Sequence, residues 1–563
     1  MTQAPLLAVN NTILWLKVIL SASALILLYL RYTKGKTASA SLKTYSLRTK
    51  VMIALAVLFS FGVFHNLGKF RGGTFVHISD MFHYYLGSKY FDELGHFELY
   101  NAVIVADTEQ GNELARLPWY TDLRTYQNTQ REKALEDAHR IRSLFSEERW
   151  SAFKDDVAFF KKATGMPRSP GLFFLLMDHG YNGSPVSTLI LGTLANIVPV
   201  TQLQLLALLD VFLVIAMSVL VFLTFGFEMW ALFSVYFCVN VLNPYDFISG
   251  CFLRYDWLFY IVVAVCLLEK GRYASSAFFL TLSAMIRVFP AVLFYGIAIV
   301  IFKNVRATGA VDKKYLRFIL AAGVTGAALF LLPSAYLGSV LQPWQEFSER
   351  LAIHDDGVYV NHLGLRGIAL FEPSHLSLDK FVEAYKSSHT NDIVRHWQDV
   401  KEAEFQQKKP AIAFASLLVL VCLTAVIWKR ASEIESVLWP LVLVYAISYP
   451  SHYYYTFLCL FILLFFKRHN SLHALVPLGL LFALNIGILV TDYFLPSPIV
   501  FYTLVNIYLF ACFASILGFE LYANVLGKVP LQAVASLDSP LETRREVKRR
   551  QRQRHGRGRG RGK

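Results

Sequence analysis

Thirteen runs of mostly apolar residues punctuate the chain: 12–30, 51–67, 203–224, 230–243, 253–268, 274–288, 289–302, 318–333, 411–428, 436–449, 453–466, 472–490 and 499–523. The longer ones approach the roughly 20 residues that carry an α-helix across a hydrocarbon core. Backbone amides in lipid must be satisfied within their own segment, so each run is expected to be helical. The 274–302 stretch reads as two short helices or as one long one. Two long polar segments interrupt the pattern, residues 68–202 and 334–410. In the first, Ile141, Leu144, Phe145, Phe153, Val157 and Phe160 recur at helical spacing within a charged stretch, which predicts a helix packed on a surface. The fold expected is an all-α polytopic membrane bundle of about 13 helices with two outward-facing loop regions. It divides into an N-terminal span and basic loop (1–50), a membrane domain (51–530) and a polar tail (531–563).

Composition agrees with this pattern. The chain is 55% hydrophobic and 17% charged, whereas soluble domains carry ~25% charged residues. The first apolar run has the length of a span, and no small-residue cleavage pattern precedes "RYTKGKT", so it reads as a retained helix and not a signal peptide. The six cysteines fall in or beside apolar runs without a CxxC spacing, which suggests packing residues.

Charge sets the expected orientation. Residues 31–50 carry six basic and no acidic side chains, and the connectors 269–272, 303–317, 429–435 and 467–469 also carry basic residues. Thirteen crossings place all of these on the cytoplasmic side, with the N-terminus and both long polar segments outside. The last twenty residues hold eleven Lys/Arg against one Glu, ten of the fourteen net charges. Such a tail is expected to contact anionic membrane lipid, and no nucleic-acid partner is expected. The location expected is a multi-pass bacterial inner or plasma membrane in preference to the endoplasmic reticulum.

Five polar groups fall at outward span ends. Asp80, in "HISDMFHYYLG", is a candidate general base or else a helix cap or solvated acid. His77 and His83 flank it, but without a fourth ligand or an HExxH pattern no metal site is assigned. Arg254 and Asp256, in "FLRYDW", need a partner or a wet cavity at membrane depth. Arg287, three residues before Pro290, suits a lipid phosphate or else an interfacial position. "IHDDGVYVNHLGLRG" offers His354, Asp355, Asp356, Asn361, His362 and Arg366 as hydrogen-bonding groups for a sugar or as a solvated loop. "SYPSHYYYTF" contains His452, which an interfacial aromatic belt does not explain. Sequons occur at Asn10 and Asn182.

Taken in order, these phrases resemble the glycosyltransferase C superfamily, closest to its polyprenyl-phosphate-mannose-dependent mannosyltransferases of the domain-of-unknown-function type. The carrying features are Asp80 with Tyr84, Tyr85 and "ELGHFELY", then "YNGSPVS", Arg287 with Pro290, "NHLGLRG", and His452 with Tyr453, across residues 51–470. The chain reads "GCFLRYDW" where that branch often has a Gly-Gln phrase, and arginine replaces the more usual lysine at 287. The resemblance implies an inverting transfer on the outer face, from a polyprenyl-phosphate-linked mannose or other sugar to a glycan or glycolipid acceptor. It implies Asp80 as base, Arg287 and Arg254 on the donor phosphate, and His77, His83, Tyr84, Tyr85, Asp256, His354, Asp356, Asn361, His362, His452 and Tyr453 around the substrates, with no cofactor or metal. The alternatives are a transporter or flippase of a lipid-linked or polar solute and a non-catalytic envelope-assembly subunit. The lack of an internal repeat and the placing of polar groups at span ends weigh against transport.

Overall fold

The computed structural model describes residues 11–37, 46–71, 73–169, 171–372, 393–429, 432–466, 472–495 and 498–525. The basic tail lies outside the described residues. All thirteen apolar runs are helical, and among the described residues eight helices are long and apolar enough to cross a membrane. The chain is a membrane-embedded, multi-pass, all-α protein. Its one small sheet among the described residues pairs Tyr120–Thr121 with Asn128–Thr129.

Long and short helices occupy different places. Lys313–Leu331 and Trp397–Trp428 bury only 17% of their apolar windows, turning Leu320, Val324, Leu331, Phe414, Leu417 and Val421 outward. Side chains of this kind, exposed in rows, suit a lipid surround. The short helices Phe227–Val239, Asp256–Glu269 and Tyr273–Ile286 instead contribute Phe237, Leu258, Ile261 and Leu280 to the main core. Their brevity has a structural consequence. They give way to backbone at 240–255 that is irregular apart from one helical turn, Tyr245–Ile248, and to a break at 287–288. Irregular backbone is tolerated at membrane depth only where protein buries it or it lines a cavity.

The 274–302 stretch is two helices. Tyr273–Ile286 ends where Arg287 turns extended (φ −133°, ψ 125°), and a 3-10 turn, Phe289–Val292, leads into Leu293–Thr308. Pro290 lacks an amide proton, and its ring would meet the carbonyl of Ile286, so one continuous helix is blocked. The 436–449 run breaks in the same way at Pro440, between Glu433–Leu438 and Leu441–Ile447.

The first polar segment has its own core. Ile141, Phe145, Phe153, Val157 and Phe160 are buried there, as their spacing predicts, against Phe82, Tyr85, Leu86 and Leu172. Leu144 is 39% exposed, contrary to that pattern. The stretch is not one helix: Ser146 caps a new one, Glu147–Ala163, by accepting the Arg149 N–H, so the phase slips before residue 147. A further apolar helix, Pro185–Ile197, lies inside this segment.

Candidate functional site

Asp80 lies on a short helix, Ile78–Met81, followed at once by a π-helical turn, Phe82–Leu86. The wider turn changes the angular spacing of side chains, as such turns do at many functional sites. Tyr84 then remains near Asp80, while His83 and Tyr85 point elsewhere. The His77 ring caps the helix, its Nδ1 accepting the Asp80 N–H at 3.3 Å. The His77 main chain donates to the Gly250 carbonyl at 2.8 Å, which straps this segment to the irregular 240–255 stretch. Gly250 has φ +69°, and a Cβ there would sit 1.9 Å from the Phe75 carbonyl oxygen. Only glycine permits that approach.

The 240–255 stretch delivers Arg254. Its main-chain N–H and that of Tyr255 donate to the two carboxylate oxygens of Asp210, at 2.9 and 3.1 Å. Asp210 is buried and is the only charged residue of the apolar helix Leu203–Phe225. Thus anchored, Arg254 reaches Asp80: Nε donates to Oδ1 at 2.7 Å, and Nη2 bonds the same oxygen. Oδ2 accepts the Phe252 N–H at 2.9 Å. The pair is removed from water, with side-chain exposures of 5% for Asp80 and 12% for Arg254. Burial alone would raise the Asp80 carboxyl, but the Arg254 guanidinium, His77 and the Phe252 N–H hold it below the usual carboxylate range. Burial, helped by Arg71, pushes the His77 imidazole down to about 3, so it is neutral and its Nδ1 is free to accept.

Arg287 joins from the break between its two helices. Both guanidiniums lie over the Tyr84 ring, that of Arg254 at 3.7 Å and that of Arg287 at 5.9 Å. Tyr453 and Tyr454 lie within electrostatic reach of them. The Tyr84 hydroxyl donates to the Asn182 side chain. "YNGSPVS" has a structural logic: Tyr181 packs edge-on to Tyr84, Asn182 receives its hydroxyl, Ser184 caps and Pro185 opens the next helix. Two donors remain unused: Arg254 Nη1 and Arg287 Nε are buried and have no hydrogen-bond partner among the described residues. Two guanidiniums with spare N–H groups can donate to an anion.

The other candidate residues make contacts of their own. His83 turns to the Leu175 carbonyl and the Tyr100 hydroxyl, 3.0 and 2.9 Å away. It does not converge with His77 and Asp80, and among the described residues no group of three or more His, Cys, Asp or Glu could hold a metal ion. The Tyr85 hydroxyl donates to the Val198 carbonyl. Asp256 is buried, accepts the Trp257 N–H at 2.7 Å and lies within electrostatic reach of Arg287 and Arg254, so it borders the site. His354 and His362 belong to a separate ring cluster, their centroids 5.1 Å apart. The Asn361 carbonyl accepts the His452 N–H. The His452 ring is fully buried between Phe247 and Tyr502. The Asp356 side chain lies outside the described residues.

No protein-family model, curated protein or solved structure matches the chain. The site is therefore read from its own geometry. Asp210 and Tyr454 were not among the residues singled out in the sequence. Asp210 had a signal, a single charge in an apolar helix. Asn182 was marked only within "YNGSPVS" and as a sequon, where it reads as a glycan acceptor and not as the partner of Tyr84.

Proposed function

We propose that the chain is a membrane glycosyltransferase of the glycosyltransferase C kind, using a polyprenyl-phosphate sugar as donor. The observation that carries this reading is the pair of buried guanidiniums, Arg254 and Arg287, each with an unpartnered N–H above Tyr84. A lipid-borne phosphate is an anion that reaches such a place from within the bilayer. The thirteen-crossing topology belongs to the same proposal, with the site on the outer face of a bacterial envelope membrane and the basic tail on cytoplasmic lipid.

In the reaction proposed, a hydroxyl oxygen of a glycan or glycolipid acceptor attacks the anomeric carbon from the face opposite the phosphate. The new C–O bond forms as the bond from that carbon to the phosphate oxygen breaks, which inverts the configuration. The departing phosphate gains negative charge, which Arg287 and the free Nη1 of Arg254 stabilise most strongly at that moment. The acceptor proton passes to Asp80. Oδ2 of Asp80 holds one hydrogen bond, from Phe252, and so keeps a lone pair for it. A carboxylate held ionised by Arg254 is a modest base, which suits a displacement in which the sugar carbon becomes cation-like and the proton leaves late. Asp210 positions Arg254 from behind, and His77 and Gly250 position Asp80.

Binding tests the observation directly. Polyprenyl phosphate without its sugar is titrated into the protein in lipid nanodiscs, comparing wild type with Arg287→Met. Saturable binding by wild type, weakened at least tenfold in the variant, is expected; equal binding by both removes the phosphate role of Arg287.

A further inference from the structure

A second cluster lies on the outward polar segments, beside the Asp80 site. The small hairpin between Tyr120–Thr121 and Asn128–Thr129 presents Tyr126 in a left-handed conformation, φ +56°. A non-glycine residue rarely adopts it unless its surroundings impose it. Here they do: Arg350, 1% exposed, donates to the carbonyls of Leu123 and His179 and sets its guanidinium 4.6 Å from the Tyr126 ring. Four rings then adjoin. Tyr126 meets His179 at 4.6 Å, His179 meets Tyr359 at 5.0 Å, and His354 lies nearly parallel to Tyr359 at 5.1 Å and 22°.

Three features set this cluster apart from ordinary packing. The rings are half-buried, outside the main apolar cores. The Tyr126 hydroxyl and His354 Nδ1 are shielded atoms with no hydrogen-bond partner among the described residues. Asp178, 57% exposed, stands at the edge with an oxygen 4.0 Å from His83 Nδ1, and His83 lies three residues beyond Asp80. Burial, with His179 and Arg350 nearby, pushes His354 down to about 3, which leaves its ring neutral and able to accept a hydrogen bond.

We propose that this cluster is the acceptor subsite, holding one sugar unit of the acceptor glycan beside Asp80; this rests on the transferase reading. Pyranose and furanose rings present C–H faces that stack on aromatic rings, and hydroxyls that need donors and acceptors together. Tyr126, His354 and Asp178 supply both kinds, and the flat rings of Tyr359 and His179 supply the stacking surface.

The test uses full-length protein in nanodiscs and two separate probes. Methyl glycosides of mannose, glucose, galactose and arabinose are screened by saturation-transfer NMR, and polyprenyl phosphate binding is measured in parallel. Wild type is expected to bind at least one glycoside. Tyr126→Leu and His354→Ala are expected to weaken that binding at least tenfold while leaving polyprenyl phosphate binding unchanged. Tyr126→Phe keeps the ring and guards against misfolding; it is expected to lose several-fold through the hydroxyl alone. Glycoside binding that is absent from wild type, or unchanged in folded variants, overturns the subsite. Glycoside binding without polyprenyl phosphate binding upholds the subsite and overturns the donor reading instead.

Discussion

Replacing Asp80 by asparagine preserves the shape of the side chain and removes one charge, and the structure sets the consequence. Asp80 accepts from Arg254 Nε at 2.7 Å and from Nη2 through Oδ1, and from the Phe252 N–H at 2.9 Å through Oδ2. Asparagine has a single carbonyl oxygen, so it can satisfy Arg254 or Phe252 but not both. Arg254, 12% exposed, keeps its charge and has no other carboxylate in a salt bridge among the described residues. Removing one partner of a buried ion pair costs about 3–5 kcal/mol, because the remaining charge stays desolvated. Asp80→Asn is therefore expected to lower the melting temperature of the protein in nanodiscs markedly. Arg254→Met in the same background is expected to recover part of the loss, since it removes the buried guanidinium that Asp80→Asn leaves without a counter-charge. The double-mutant cycle should show a coupling of about 2–3 kcal/mol. Donor turnover should fall by at least about 10²-fold in Asp80→Asn, the size of a lost general base, and should not return in the double variant. A single variant that melts with wild type, or a cycle without coupling, refutes the buried pair as the element that organises the site.

Four further outcomes follow from the same geometry. Arg287→Met is expected to leave the melting temperature unchanged or higher, because a buried guanidinium with an unpartnered Nε is removed, while calorimetric affinity for polyprenyl phosphate falls at least tenfold. Gly250→Ala, with its Cβ forced to 1.9 Å from the Phe75 carbonyl at φ +69°, should cost roughly 2–5 kcal/mol in a denaturation assay. Asp210→Asn can accept only one of the two N–H groups from Arg254 and Tyr255; it should cost about 1–3 kcal/mol, with the KM for donor rising as Arg254 loses its anchor. Lowering the pH from 7 to 5 should reduce the melting temperature. His77 and His354 stay neutral in the fold, down to about 3, whereas the unfolded chain binds protons near 6.5, so stability rises with pH across that window. Asp80, held below its ordinary value of 3.8, stays charged there, and its stabilisation is lost only on further acidification.

The bundle was legible in the chain because lipid leaves the backbone one economical solution. Every long apolar run became a helix, and Pro290 marked the break that presents Arg287. Span number is less legible. Phe227–Val239 and Tyr273–Ile286 are apolar but short, and hydropathy does not distinguish a central helix from a truncated span. Asp80, Arg254 and Arg287 were visible as charges at span ends, but not their pairing. That Arg254 holds Asp80 depends on Asp210 and Gly250, residues 44 and 4 positions away whose contacts arise only on folding. Tyr126 gave no signal at all, because its role comes from a hairpin and a buried Arg350 more than two hundred residues later.

The central claim is tested most directly by turnover. Purified protein in nanodiscs is given a panel of polyprenyl-phosphate sugars with an acceptor-containing envelope extract, and released polyprenyl phosphate is measured for wild type, Asp80→Asn and Arg287→Met. Release by wild type from one donor, lost in Asp80→Asn and strongly reduced in Arg287→Met, is the predicted result. Equal release by wild type and Asp80→Asn, or no release from any donor under conditions where polyprenyl phosphate binds, contradicts it.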